Sequence, residues 1–391
     1  MIIKKVGIAG SGRWAKVLIS ILNEILPKQD KIIVFSNHGT QSISNWLALK
    51  GLDNRVESVN EYKKIANSNL QALIIANAAK DHYEIAKMGI KNLIPLMVEK
   101  PLTNSFITDM KLINLSKENN ISLALSQIFL FTEYLVNFKK LLDAEENISI
   151  INFFWDDKFD ESRYGEIKNY DSSVPIYRDC MPHILSIVNY LVETNFKLNT
   201  VALDKDGSQL KIKMQSADIK LNVFMKRNAK FRKRLIQIEG SKDLQLDFTC
   251  EPGEIVAKKR VFNADTDWEK RKSPATLMIS SFLDSISTKQ NLDGRLLPCP
   301  EMLSLLNDIS LIYEDKRNRF IKNIFISNNL YLDDIDYLTK EILLEKSIVS
   351  TKKIMPIIAK IKKILSSKEK NKKFNDLINK DIDSFVRMHI L

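Results

Sequence analysis

A chain of 391 residues, 45% hydrophobic and 27% charged, has enough apolar material for two or three domains and a sizeable core. No apolar run approaches the roughly 20 residues of a membrane span. Three widely spaced cysteines, Cys180, Cys250 and Cys299, form neither a disulfide framework nor a metal pattern, so a reducing, cytoplasmic setting and no metal are expected. The net charge of +11 is uneven: residues 316–391 carry +8 of it, so any case for an anionic partner belongs to the tail.

The opening stretch reads as a strand, a tight turn and a helix. Apolar residues run to Ala9, Gly10-Ser11-Gly12-Arg13-Trp14-Ala15 follows, and Trp14, Val17, Leu18, Ile21, Leu22 and Ile25 then fall at helical spacing until Pro27 stops the pattern. The glycine turn interrupts the apolar run, so no signal peptide is expected here. It is the order a dinucleotide-binding unit requires: Gly10 for the sharp turn, Gly12 for close approach of a diphosphate, Ala15 small enough for helix and strand to pack. The first amides and the dipole of the helix attract the diphosphate, which points to Gly10, Ser11, Gly12, Arg13 and Trp14 as its contacts.

Short apolar runs then alternate with helical patterns. Strands are expected at 32–35, 72–77, 93–98 and 121–126, with helices near 40–50, 60–68, 81–90 and 104–119. Continuous Ile/Leu/Val runs are buried on both faces, as in a parallel sheet, so residues 1–126 are expected to form a doubly wound Rossmann domain with its ligand beyond the carboxyl ends of the strands. The residues after each strand are therefore the candidates. After the second strand come Ser36, Asn37 and His38, with no carboxylate to hold a ribose 2′-hydroxyl, which tilts the cofactor from NAD towards NADP. After the later strands come Asn77 with His82, and then Glu99-Lys100-Pro101. Asp179 and His183 lie one helical turn apart at the start of a helix expected at 181–193.

The combination of Gly10-x-Gly12-x-x-Ala15, Asn77 with His82, Glu99-Lys100-Pro101 and Asp179-x-x-x-His183 resembles the Gfo/Idh/MocA oxidoreductases over roughly residues 1–315. The resemblance implies hydride transfer on a nicotinamide cofactor, with Lys100 and His183 as acid–base groups. It gives Asp179 the task of orienting substrate and histidine, and Glu99 that of holding the strand end or the nicotinamide ribose. A free lysine has a pKa near about 10.4; burial and a positive nicotinamide ring both lower it towards a value useful for proton transfer. The sequence departs from the family at two places. Leu130 stands where the family commonly has arginine, and Val174-Pro-Ile-Tyr-Arg178 replaces a glycine-rich segment.

Residues 127–317 are expected to form an α+β domain. A strand at 147–155 precedes a polar loop whose Arg163 and Tyr164, with Arg178, are candidate substrate contacts. Runs between 198 and 263 alternate with period two, as in an antiparallel or mixed open sheet, with Asp206-Gly207 at a hairpin turn. In the family resembled, such a sheet commonly joins subunits, so a homo-oligomer is expected. Helices near 274–287 and 298–315 close the domain. The extension at 318–391 looks helical and lysine-rich, with an apolar stripe from Ile354 to Leu365. Packing on the body is favoured over a peripheral membrane contact, and nucleic acid is not expected because interleaved aromatics are missing. The expected substrate is a secondary alcohol or ketone of a sugar, sugar nucleotide or cyclic polyol. Two alternatives stay open: imine reduction, as in thiazolinyl imine reductases, and a non-catalytic cofactor-binding regulator.

Overall fold

The computed structural model describes residues 3–327, apart from 146, 159–160, 164–165, 168–173, 205–208 and 241–243, together with residue 359. Tyr164, the Asp206-Gly207 turn and the Ile354–Leu365 stripe lie outside the described residues. The chain groups into two compact units, one formed by residues 1–145, 181–195 and 250–307, the other by 146–180, 196–249 and 308–391.

The first unit opens with β1 (Lys5–Ala9), α1 (Arg13–Ile25), β2 (Lys31–Phe35), α2 (Thr40–Leu49) and β3 (Val56–Val59). It continues with β4 (Ala72–Ile75), α3 (His82–Lys91), β5 (Leu96–Val98), α4 (Phe106–Glu118), β6 (Leu123–Leu125) and α5 (Glu133–Leu142). The six strands form one parallel sheet in the order β3-β2-β1-β4-β5-β6. The order reverses at β1/β4, which is where a doubly wound sheet opens a crevice for its ligand. The central strands are buried along their length, and Phe35, Leu73, Ile75, Ile85, Leu96 and Val98 share one core cluster with helix residues on the sheet. Strand β3 was not expected; its Val56-Glu-Ser-Val59 is an edge strand with one fully buried residue, so it lacks the apolar run that marks its neighbours. The expected helix near 60–68 is a 3-10 turn, Tyr62–Asn67.

The second unit holds β7 (Ile148–Lys158) and a two-residue pair, β8 (Ser162–Arg163) and β9 (Glu166–Ile167). Helix α6 (Ile176–Val192) starts in this unit and ends in the first. Then come β10 (Lys197–Leu203), β11 (Gln209–Gln215), β12 (Lys220–Ala229), β13 (Lys233–Gly240) and β14 (Leu244–Asp247). They form the sheet run β10-β11-β12-β7-β13-β14, antiparallel throughout except that β12 runs parallel to β7. On β7 burial alternates with period two, placing Ile151, Phe153, Trp155 and Asp157 on the inner face. The outer face carries Phe154 stacked on Phe224 at 4.8 Å, with Lys211 and Lys233 over the two rings.

The inner face is apolar until its last row. Leu221, Val223 and Met225 of β12 precede Arg227, and Trp155 precedes Asp157; all are buried. Arg227 Nη2 donates to Asp179 Oδ2 at 3.2 Å. The Arg234 guanidinium pairs with Asp157, donates to the Asp156 carbonyl at 2.6 Å and lies 3.8 Å over the Trp155 ring. Burial pushes the Arg234 guanidinium down from its ordinary range and the Asp157 carboxylate pulls it back.

The hairpin β15 (Glu254–Ala257) and β16 (Arg260–Asn263) and helix α7 (Pro274–Thr288) belong to the first unit. Helix α8 (Pro300–Ser327) runs past the expected end at 315, with no glycine or proline between residues 301 and 327 to stop it. Among the described residues no helix is long and apolar enough to cross a membrane.

Candidate active site

Within the first unit, the carboxyl ends of β1, β2, β4, β5 and β6 gather most of the expected residues. Gly10 has φ +132°, and a Cβ there would stand 2.8 Å from the Ala76 carbonyl, so only glycine turns the chain here. Gly12 caps α1 with no side-chain hydrogen bond and no acid in the first turn, leaving the opening amides of the helix for an anion. Nothing lies within 4 Å of where a Gly12 Cβ would be. Two buried polar atoms beside this turn have no hydrogen-bond partner among the described residues: Arg13 Nη1 and Asn77 Oδ1. Uncapped amides, an orphaned guanidinium nitrogen and an orphaned amide oxygen suit a dinucleotide diphosphate and its ribose.

The end of β2 is tied to the glycine turn. Ser11 Oγ and Ser36 Oγ are 2.9 Å apart, and the Gly39 amide donates to Ser36 Oγ at 3.0 Å. Ser36 is buried, Asn37 accepts from the Tyr62 amide through Oδ1 at 3.1 Å, and His38 is exposed.

His82 is 1% exposed, and both ring nitrogens face backbone carbonyls. Nδ1 donates to Pro101 O at 2.9 Å, and Nε2 lies 3.1 Å from Asn77 O. Trp14 Nε1 donates to Glu99 Oε1 at 2.7 Å. Burial pushes the Glu99 carboxyl up from its ordinary value, against hydrogen bonds from Ser126 and Trp14 and the charges of Lys100 and His82. A carboxyl raised on folding adds stability below its unfolded value, and that stability is lost as pH climbs through the folded one. Glu99→Gln keeps an acceptor for Trp14 and removes the charge. Its urea midpoint should exceed that of the wild type at pH 8, with the gap closing as pH falls towards about 4, the ordinary glutamate range.

Lys100 follows β5 and is half-buried. The neighbouring β6, where Leu125 is the register partner of Val98, leads through Ser126 into a 3-10 turn, Ile128–Phe131. The Phe129 ring meets the half-buried His183 ring edge-on at 5.0 Å. The same turn holds a guanidinium brought from far along the chain. Arg295 donates to the Leu130 carbonyl at 3.3 Å, its guanidinium lies 4.0 Å over Phe131, and Asp293 holds it at 2.7 Å. Nothing in the spacing near residue 130 pointed to position 295.

Asp179 belongs to the second unit, half-buried on the first turn of α6 and one turn before His183. Pro182, between them, removes the amide that would bond the Arg178 carbonyl. Arg227, its buried partner, was not singled out by sequence, although the alternation Leu221, Val223, Met225, Arg227 puts a charge on a core face. Arg178 is buried beside Tyr177 and not laid open to solvent. Arg163 lies on β8. Asp157, Asp179 and Cys180 bring ligand-type atoms within 4.8 Å of one another, but each carboxylate is already paired with a guanidinium, which leaves no net negative charge for a cation.

Residues 4–126 match the model of the Gfo/Idh/MocA oxidoreductase family, described as its NAD-binding Rossmann fold. Residues 4–126 thus form an NAD-binding Rossmann domain similar to that of the Gfo/Idh/MocA oxidoreductases. No curated protein matches it in sequence. Three solved structures show the same fold over most of its length. UDP-N-acetylglucosamine 3-dehydrogenase GnnA from Acidithiobacillus ferrooxidans is 15% identical and covers 80% of this chain and 98% of its own, with a TM-score of 0.63. The myo-inositol dehydrogenase of Lactobacillus casei is 11% identical, covers 81% and 95%, and gives 0.62. Biliverdin reductase from Synechocystis, in complex with biliverdin and NADP+, is 13% identical, covers 79% and 98%, and gives 0.61.

Proposed function

We propose that this oxidoreductase moves a hydride between NADP(H) and a secondary alcohol or ketone of a sugar, sugar nucleotide or cyclic polyol. The observation that carries the reading is the edge contact of His183 with Phe129. It sets the histidine beside the turn that follows β6, while Lys100 follows β5, the strand paired to it. Two groups able to handle a proton then come from beside neighbouring strand ends of one sheet.

The nicotinamide, when bound, supplies or accepts the hydride. Gly10, Gly12 and the opening amides of α1 hold its diphosphate, with Arg13 and Asn77 as further contacts. Preference for NADP rests on Ser36, Asn37 and His38, where no carboxylate repels a 2′-phosphate. Lys100 Nζ gives or takes the proton at the reacting oxygen, and His183 hydrogen-bonds the same oxygen and shares that proton. Asp179 is paired with Arg227 at 3.2 Å within the second unit. A sugar nucleotide and a cyclic polyol appear in the names of two of the similar structures, which favours a ring alcohol. A second copy of the chain is placed against the outer face of the β7/β12 sheet, where the stacked phenylalanines lie. The cytoplasm is the proposed location.

The test is a panel of sugars, UDP-sugars and inositols offered to the full chain with NADP+ or NAD+, followed by the near-ultraviolet absorbance of reduced nicotinamide. The expected result is turnover of at least one ring alcohol, faster with NADP+. No turnover on the panel with reduction of a cyclic imine would replace the sugar reading, and no dinucleotide binding by calorimetry would remove the enzyme.

A further inference from the structure

Lys100 is bracketed in the chain by two residues that are each pinned to another strand end. On its N-terminal side, the Glu99 amide donates to Ile75 O at 2.9 Å. The Glu99 carboxyl accepts from Trp14 Nε1 at 2.7 Å. On its C-terminal side, the Pro101 carbonyl accepts from His82 Nδ1 at 2.9 Å, and the other ring nitrogen of His82 sits 3.1 Å from Asn77 O. Trp14 comes from the first turn of α1 and His82 from the first residue of α3.

A lysine side chain has four rotatable bonds, so its ammonium can be aimed only if the backbone it springs from is still. Fixing the neighbours on both sides fixes the direction of the Cα–Cβ bond between them. The contacts also use up the polar atoms involved. The single N–H of the Trp14 indole is spent on Glu99, and both His82 nitrogens face carbonyls in a nearly solvent-free site. Neither ring keeps a polar atom for a dinucleotide.

We propose that Trp14 and His82 are positioning residues for Lys100, acting through Glu99 and Pro101, and are not ligands of the dinucleotide. The inference rests on the reading of Lys100 as the proton-handling group. It adds a mechanical link: the turn that receives the diphosphate and the strand end that carries the lysine share one hydrogen bond, from Trp14 to Glu99.

The experiment uses the full chain and needs no substrate. Trp14→Phe keeps an aromatic ring and removes the N–H together with part of the indole's bulk; His82→Asn removes the bridge between two carbonyls. The acylation rate of Lys100 by acetic anhydride is read by peptide mass spectrometry relative to the exposed Lys28, and NADP+ and NAD+ binding is read by calorimetry. Loss of one net hydrogen bond corresponds to about 3- to 10-fold in an equilibrium. The expected result in both variants is a rise in relative Lys100 acylation of about 3-fold or more, with dinucleotide dissociation constants within about 3-fold of wild type. A Lys100 rate that is unchanged or lower, or dinucleotide binding weakened beyond that range in Trp14→Phe, overturns the proposal. Trp14→Phe decides the matter alone should His82→Asn not fold. If turnover survives Lys100→Met, the lysine loses its proton-handling role, but the dependence of its reactivity on Trp14 and His82 stands or falls separately.

Discussion

Lys100→Met should lower turnover by about 10³-fold, within the roughly 10²- to 10⁴-fold that a positioned acid or base contributes, and leave dinucleotide binding near its wild-type strength. Methionine keeps an unbranched, flexible stem of similar bulk and deletes the ammonium, so packing at the end of β5 is retained. The proposed dinucleotide contacts are other residues: the glycine turn, Arg13, Asn77 and the opening amides of α1. The loss should therefore appear in kcat and not in the dissociation constant for NADP+, which is the pattern of an interaction made only in the transition state. His183→Asn should cost less, because Lys100 still offers a proton. Turnover of Lys100→Met within ten-fold of wild type would take the proton-handling role away from the lysine.

The largest effect on stability is expected at Asp157, far from the glycine turn in sequence. Its carboxylate and the Arg234 guanidinium form a pair in which neither side chain is more than 3% exposed. Removing one partner leaves the other charged and buried, which costs about 3–5 kcal/mol. Asp157→Ala should show that loss as a lower urea midpoint with an unchanged slope. Replacing both partners, Asp157→Leu with Arg234→Met, should recover most of it, since two apolar side chains of similar bulk avoid the desolvation of two charges. A single variant as stable as wild type would mean that water reaches the pair.

How far these features could be read from the sequence varies by residue type. The first sheet was legible because its central strands are buried on both faces and announce themselves as Ile/Leu/Val runs; Ala72–Ile75 and Leu96–Val98 fell where expected. Val56–Val59 did not, since an edge strand needs only one inward side chain. The residues after the strands were legible for a geometric reason, the ligand side of a parallel sheet being its carboxyl edge. What they touch was not. Trp14 and His82 read as cofactor contacts because of their position in chain order, whereas the fold turns their polar atoms onto Glu99 and the Pro101 and Asn77 carbonyls. Partners brought by long-range packing were invisible: Arg295 on the Leu130 carbonyl and Arg227 on Asp179 are separated from their targets by 165 and 48 residues. In the second case a signal existed, a charge continuing an apolar alternation on β12 and matched by Asp157 on β7.

Helix α6 has one further implication. Asp179 and His183 lie four residues apart on one helix, so their angular relation is set by the helical repeat. Inserting or deleting one residue before the pair would swing both through about 100°, and between them would set them on different sides of the rod. If the proposed roles of the pair hold, new substrate preferences would come from exchanged side chains around an α6 whose register stays constant. The spacing of these two residues is thus the part of the chain least free to drift.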